Sequence, residues 1–551
     1  MGQKLHSLME TKRLVYLVAV VFAVFMMFQY LEFPYGDVIS SLFSANSPQK
    51  LKNESFPPKD SSQIPQIVKN ITHFHGSNYT KPVSIPSILL PPSISPSSPT
   101  TLNTTTQSDP KIDIDTSKSF HDFDKSSSAN EGPQVNGSND HGTMGEVVTI
   151  SEMREMLGHN RASFRSMKPR WSSAVDQELL DAKFQIENAP FIENDLTLDP
   201  SLYVNVSRFK RSYELMEKTL KVYIYKEGEK PIFHQPQAVL KGIYASEGWF
   251  MKHMKASKHF VTKKPKEAHL FYLPFSSRML EEKLYVVDSH THKNLIQYLK
   301  KYLDLISGRY SFWNRTSGSD HFLVACHDWA PSETKKYMNN CIRAMCNSDV
   351  KNEGFELGKD VALPETTIQS SKNPLKQFGG QPPSKRSTLA FFAGRMHGDL
   401  RPILLHHWEN KDPEIKIFKK LPKSKNNKNY IEYMKTSKFC ICAKGYEVNS
   451  PRVVEAIFYG CVPVIISDNF APPFFEVLNW ESFAVFLKEK DVPNLKNILV
   501  SISDSRYLVM QERVKLVQQH FLWHVKPVKY DIFHMILHSI WYNRVFRVNP
   551  R

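Results

Sequence analysis

The chain has 551 residues, 41% of them hydrophobic, and a formal net charge of +16. That length accommodates two ordinary domains plus further segments. The charge admits nucleic acid, anionic lipid or an acidic polymer as partner, but the basic residues are spread along the chain with no zinc-finger or RNA-binding signature, so charge alone does not make a nucleic-acid binder.

Residues 14–28 form an uninterrupted apolar run, extended by Tyr30 and Leu31 beyond Gln29. The run reaches the short end of a membrane-spanning helix. Lys4, Lys12 and Arg13 precede it, while Glu32 and Asp37 follow, which predicts a cytosolic tail over 1–13, a signal anchor over 14–31 and the remainder in the lumen. A cleaved signal peptide is disfavoured, because the run exceeds an h-region and no small-x-small exit follows. A short span suits an early-secretory membrane, and a luminal chain cannot work on nucleic acid.

Residues 32–150 read as a disordered stem, rich in Ser, Thr, Asn and Pro. Asn53, Asn70, Asn78, Asn103 and Asn136 head N-glycosylation sequons there, and Asn205 and Asn314 head two more downstream. The stem also holds Asp113 with Asp115 and Asp122 with Asp124. These imitate a metal-binding D-x-D but lack a rigid shell to orient ligands. Residues 151–215 read as a helical collar.

A first domain is expected over 216–375. Residues 220–225 alternate as a first strand, 268–275 form a buried strand ended by proline, and 295–306 an amphipathic helix. Residues 322–326 read as a strand, with Asp320 and His321 before it and His327 and Asp328 after it. The Asp288, His290, His292 cluster has too few neighbouring ligands for a metal and reads as a solvated loop. Polar residues 369–386, with Gly379-Gly380 and Pro382-Pro383, mark the domain boundary.

The second domain, over 376–520, opens with a strand at 389–394 ended by Gly394 and followed by Arg395; Arg401-Pro402 then opens a helix. Residues 423–428 are a basic loop and 430–438 a helix. Residues 439–468 read as strand, loop, helix and strand, a βαβ unit: Gly445 breaks the first strand, Ser450 is placed as N-cap with Pro451 at the first helical position, and Gly460 stops the helix. The N–H groups at that helix start, with Arg452, suit an anion. Glu455 can accept sugar hydroxyls. Helices follow from 492 to about 545, with 521–551 as a terminal helical tail whose 521–541 part can cross back to the first domain. Of the six cysteines, Cys341 and Cys346 are the expected local bridge, while Cys440, Cys442 and Cys461 are expected as buried thiols.

The run from Gly445 to Asp468, G-Y-E-V-N-S-P-R-V-V-E-A-I-F-Y-G-C-V-P-V-I-I-S-D, resembles the signature block of the exostosin-like (GT47-type) glycosyltransferases, especially those of plants. The K-V-Y-x-Y of the first strand, K-D-V-x-x-P at 359–364 and F-F-A-G-R at 391–395 are similar to the same family, and the resemblance covers about 215–520. Ser319 departs from it, where many relatives carry arginine.

The resemblance implies an α/β GT-B architecture, with two Rossmann-like domains facing a cleft, in a type II Golgi membrane protein. It further implies inverting transfer from a nucleotide sugar, UDP-linked, to a cell-wall polysaccharide or glycan, with other glycosyltransferases as further partners. Gly394, Arg395, Gly445, Tyr446, Ser450, Arg452 and Glu455 are the donor-binding candidates, and no metal or other cofactor is expected. An inverting transfer needs one general base. Asp328 is the first candidate, because ligands sit outside the carboxyl ends of strands in such sheets; Asp320, His321 and Glu247 stand behind it. A non-catalytic glycan-binding or scaffold subunit is the rival reading. A dehydrogenase is disfavoured because no G-x-G-x-x-G or Walker lysine loop is present.

Overall fold

The computed structural model describes residues 147–550 apart from 194, 196 and 422–428. The expected anchor, nearly all of the stem with its D-x-D look-alikes and five sequons, and the 423–428 loop lie outside the described residues. No helix among the described residues is long and apolar enough to cross a membrane.

Among the described residues, three α-helices precede the first strand: α1 (Ile150–Ser163), α2 (Ala174–Glu187) and α3 (Val206–Thr219). Thr149 and Glu152 form a capping box at the start of α1, which satisfies helix-end N–H groups reciprocally. This collar touches both halves of the structure. Arg154 pairs with Glu481 at 2.5 Å, and the Asn160 amide donates to the Leu357 carbonyl at 2.9 Å.

The first sheet holds β1 (Val222–Ile224), β2 (Leu270–Tyr272), β3 (His321–Ala325), β4 (Ile342–Met345) and β5 (Val361–Ala362), in sequential order and all parallel. Helices α4 (Ala245–Ala256), α5 (Ser277–Leu284), α6 (Lys293–Arg309), α7 (Ser311–Thr316) and α8 (Ala330–Met338) connect them. Parallel strands are covered on both faces, and every residue of β2, β3, β4 and β5 is buried accordingly. Residues 363–386 then lead to the second sheet. Thr366 and Ile368 bridge to Tyr244 and Gly242, whereas Gly379 and Gln381 donate to the Phe458 and Lys435 carbonyls. The linker thus changes sides between 368 and 379.

The second sheet is built from β6 (Thr388–Ala393), β7 (Ile415–Phe418), β8 (Ser437–Ala443), β9 (Val462–Ile466) and β10 (Val485–Phe486). Its helices are α9 (Leu400–Trp408), α10 (Tyr430–Thr436), α11 (Arg452–Phe458), α12 (Leu495–Val500) and α13 (Asp504–Val517). The strand order is β7-β6-β8-β9-β10, again all parallel. The chain first moves outward from β6 to β7, then returns past β6 to β8. The gap between the carboxyl ends of β6 and β8 is therefore the topological switch point, where ligands of doubly wound sheets bind. The last helix, α14 (Ile532–Arg547), belongs to the first domain and is no free tail. Phe533 packs on Phe250 and the Asn543 amide donates to the Lys359 and Asp360 carbonyls at 3.2 and 3.0 Å.

The register decides the disulfides. Ala325 pairs with Met345 across β3 and β4, which brings Cys326 beside Cys346, and these two are bonded. Cys341 lies at the other end of β4 from Cys346, five residues away in extended chain, about 16 Å; a disulfide needs Cα atoms within about 7 Å. The expected local bridge is thereby replaced. A second bond joins Cys440 to Cys461, so only Cys442 of that trio is a buried thiol, as is Cys341.

Between β4 and β5 lies a fully buried ion pair. Arg343 Nη2 donates to Asp360 Oδ2 at 2.6 Å and Nε to Oδ1 at 3.3 Å, and Asp360 also accepts from the Arg343 and Glu356 amides. This explains the aspartate of K-D-V. Asp360→Ala leaves the guanidinium buried without its counter-charge, and about 3–5 kcal/mol of stability should be lost. A denaturation midpoint unchanged from wild type would contradict that assignment.

Candidate active site

The carboxyl ends of the two sheets face each other, and the site is assembled from the segments that leave those strand ends. At the switch point, Arg401 of α9 is buried and donates to three carbonyls: Lys444 through Nε at 3.0 Å, Arg395 through Nη1 at 3.1 Å and Ala443 through Nη2 at 3.3 Å. It ties the end of β8 to the chain leaving β6. Burial lowers its pKa to about 10, and Arg452 adds to the shift. Arg452 of α11 donates to the Ala393 carbonyl through Nη2 at 2.8 Å and Nε at 3.2 Å and lies over the Phe392 ring at 5.0 Å. Gly394 permits this approach, since a Cβ there would stand 2.4 Å from Arg452 Nη2. Arg395 is exposed, and its guanidinium makes no hydrogen bond among the described residues.

Three guanidinium groups thus converge at one strand end. His397 beside them has its pKa lowered, first by burial and then by the fields of Arg401, Arg395 and Arg452. Tyr446, 76% exposed, sets its ring 5.3 Å from that of His397. A Cβ at Gly445 would stand 3.4 Å from the His397 Cβ, so the two loops are in close contact there.

The helix start differs in detail from the sequence reading. Pro451 occupies the N-cap position, and buried Ser450 is turned inward, its Oγ accepting from the Arg452 amide at 3.4 Å. Pro451 already has helical φ and ψ, so the hydroxyl is one residue too early to cap α11 and supports Arg452. Glu455, one turn on, accepts from the Tyr430 hydroxyl at 2.5 Å and lines a cavity of about 250 Å³. Thr366 and Asn373 of the linker, Phe521 and Trp523 close that cavity.

On the opposing side Asp328 is half-buried just beyond β3. It accepts from the Tyr244 hydroxyl at 3.0 Å, and burial raises its pKa, against the hydrogen bonds of Tyr244 and Asn449. Two asparagines reach across between the domains. Asn449 donates to Glu365 at 2.9 Å and Asn347 to Glu447 at 2.6 Å. Burial, then Asp328, pushes Glu365 up to about 8 and Glu447 up to about 7.

The other three base candidates lie elsewhere. Glu247 is fully buried and accepts four hydrogen bonds, from the Cys326, His327 and Arg278 amides and the Ser276 hydroxyl. Every lone pair is engaged in holding strand ends. Asp320 and His321 sit at the amino end of β3, away from the cleft. Asp320 accepts from Thr316 and pairs with Arg315, and His321 lies between Asp320 and the Tyr225 hydroxyl, at 2.8 Å from each. Beside Asp328, His327 is pushed down to about 3, first by burial and then by Arg278. The Asn314 sequon is on α7, also remote from the cleft, and its amide donates to the Ser307 carbonyl at 3.1 Å. His292, from the metal-like cluster, stacks on Trp329 at 4.2 Å.

Sequence reasoning missed Glu365, Glu447, Asn347, Asn449 and Tyr244 as cleft residues. Glu365 was within reach: it directly follows the K-D-V-x-x-P element, one residue past Pro364.

The Exostosin GT47 domain description matches residues 216–502 of the chain. A probable glycosyltransferase of Arabidopsis thaliana is 45% identical over 347 residues, covering 62% of this chain and 66% of the relative. A second is 40% identical over 418 residues, 73% of this chain and 87% of the relative. A probable beta-1,4-xylosyltransferase of the same plant, IRX10, is 30% identical over 355 residues, 58% of this chain and 81% of the relative.

Gly398 makes the switch-point geometry directly testable. It has φ +67°, and a Cβ would stand 2.0 Å from the Gly445 carbonyl oxygen. Gly398→Ala should therefore destabilise the protein by about 2–4 kcal/mol through backbone strain and displacement of that loop. A thermal midpoint within about a degree of wild type, where such a loss should shift it by several degrees, would show that the two loops do not pack this way.

Proposed function

The chain belongs to the exostosin GT47 family and is a glycosyltransferase, and on that premise we propose that it transfers a sugar, with inversion, from a UDP-sugar to a cell-wall polysaccharide or glycan in the Golgi lumen. The observation that carries this reading is the guanidinium cluster at the switch point facing a half-buried aspartate across the cleft. Exposed Arg395 and half-buried Arg452 take the diphosphate, with Arg401 behind them fixing the strand ends. Glu455 and the adjoining cavity take the ribose and base.

In the transfer the acceptor hydroxyl oxygen forms a bond to the anomeric carbon while the bond from that carbon to the diphosphate breaks. Charge builds on the departing UDP, where guanidinium donors already in place stabilise it without reorganisation. The acceptor proton passes to Asp328. Tyr244 and Asn449 orient its carboxylate. In this reading arginine supplies the positive charge and no metal is invoked.

The apolar run at 14–31 with its flanking charges supports a type II Golgi anchor, and two disulfides fit an oxidising lumen. The name of one relative, a probable beta-1,4-xylosyltransferase, supports sugar transfer to a glycan acceptor.

The test uses the full-length chain purified in detergent and a panel of UDP-sugars, following UDP release with and without pectin and hemicellulose acceptors. One donor should be consumed. Asp328→Asn should lower kcat by about 10²–10⁴ while UDP still binds, and Arg452→Ala should weaken UDP binding. The wild-type rate should fall on the acid side as Asp328 takes up its proton, with a midpoint above the ordinary aspartate value because burial raises it. If folded protein binds no UDP-sugar, the non-catalytic scaffold reading replaces this one; near wild-type turnover in Asp328→Asn removes Asp328 as base.

A further inference from the structure

Glu365 lies between the two halves of the proposed reaction. It follows β5 on the first domain, is 5% exposed, and its carboxylate accepts the Asn449 amide of the second domain at 2.9 Å. The charged and titratable groups whose fields reach it come from four other elements: Asp328 beyond β3, Tyr244 before α4, Arg401 on α9, and Arg452 and Glu455 on α11. Two of these carboxylates raise its proton affinity and the guanidinium of Arg452 opposes them. No arginine or lysine makes a hydrogen bond or ion pair with Glu365 among the described residues. Burial without a bonded cation favours the neutral form of a carboxyl group.

A second observation points the same way. Asn449 is buried, and its Oδ1 accepts no hydrogen bond among the described residues. A carboxylic acid at Glu365 provides a donor in that neighbourhood, and an acid and an amide can pair through both of their edges. An ionised Glu365 offers only acceptors.

We propose that Glu365 is a proton-holding residue of the donor site: it admits the UDP diphosphate as a neutral acid, so that nucleotide binding is linked to protonation of this one side chain. The inference rests on the diphosphate being taken by Arg395 and Arg452. Once Arg452 is engaged by the diphosphate, its compensating field at Glu365 is cancelled and a further anion stands close by. Both effects favour the protonated form. Glu365 touches no reacting atom in this arrangement. It is a positioning residue, acting through Asn449, whose amide also lowers the proton affinity of Asp328.

Linkage fixes the sign. Below the Glu365 pKa of the free protein, pushed up to about 8, the acid already carries its proton and UDP affinity is flat with pH. Above it, each binding event must take up a proton, and Kd should rise by about tenfold per pH unit. The terminal phosphate of UDP, whose second pKa lies near ~6, is ionised at the alkaline end, where the uptake is counted.

Calorimetric titration of UDP into the full-length protein, between about pH 7 and 9.5 and in buffers of different ionisation enthalpy, counts the protons taken up. Wild type should take up close to one proton per UDP at the alkaline end. Glu365→Gln, which keeps the neutral shape but cannot ionise, should remove both the uptake and the alkaline weakening, whereas Glu447→Gln should retain them. Zero uptake by wild type at the alkaline end overturns the proposal even if no variant folds. So does an unchanged pH dependence in Glu365→Gln. Absence of UDP binding at about pH 7, where the acid already holds its proton, overturns the donor site itself, and this inference with it.

Discussion

Parallel sheets present their carbonyl oxygens at one end, and in this protein that end is where the two domains meet. A buried carbonyl needs a donor, and at the switch point the donors are guanidinium groups. Arg401 takes three carbonyls from the chain leaving β6 and β8, and Arg452 takes the last carbonyl of β6 with two nitrogens. These bonds are structural first. Because each guanidinium carries five donors and cannot be deprotonated under ordinary conditions, using some of them on carbonyls leaves net positive charge at a place that neighbouring glycines keep open. The positive charge that the proposed donor site relies on is a by-product of how the strand ends are satisfied.

The facing domain has the converse need, acceptors for free N–H groups, and meets it with a carboxylate. Backbone N–H groups after β3 and in the turn leading to α5 are taken by Glu247, whose four donors leave it nothing to offer a substrate. Asp328 sits only two residues beyond Cys326, yet it receives side-chain donors alone and remains half-buried. Counting donors separates a residue that holds the scaffold from one that can accept a proton. The same count removes Asp320, which Thr316, Arg315 and His321 surround at the other end of the strand.

How much of this could be read in the chain depends on the range of the interaction. β9 was legible to the residue because five consecutive apolar positions follow a glycine stop, and Gly460 at φ +65° ends α11 as expected. β4 was not, since Arg343 interrupts its apolar pattern and only the ion pair with Asp360 makes that arginine admissible in a core. β5 and β10 have two residues each, too few for any periodicity. The cysteine pairing was hidden because register, not spacing, sets it. Of the candidate residues, Arg395, Arg452 and Asp328 were singled out by their places just after strands or at a helix start, and the structure sets them at the carboxyl ends of the two sheets. Glu365 and Asn449 were not, because their meeting depends on how the two domains are set against each other.

That setting is itself built into the stretch after β8. Gly445 lies close under Arg401, Asn449 reaches Glu365 on the first domain, and Arg452 turns back to β6. A single short loop therefore connects a strand end, the opposing domain and the neighbouring strand. The segment is held at both ends: β8 is bonded to the residue before β9 through Cys440 and Cys461, and α11 is followed by a linker contact in which Gly379 donates to the Phe458 carbonyl. A site whose supports are fixed on strands and disulfides retains its geometry when substrate charge arrives. In the proposed reading the freedom that remains is in protons: a cleft that sets carboxylates against guanidinium groups would answer an incoming dianion by changing its protonation, with little movement of its backbone.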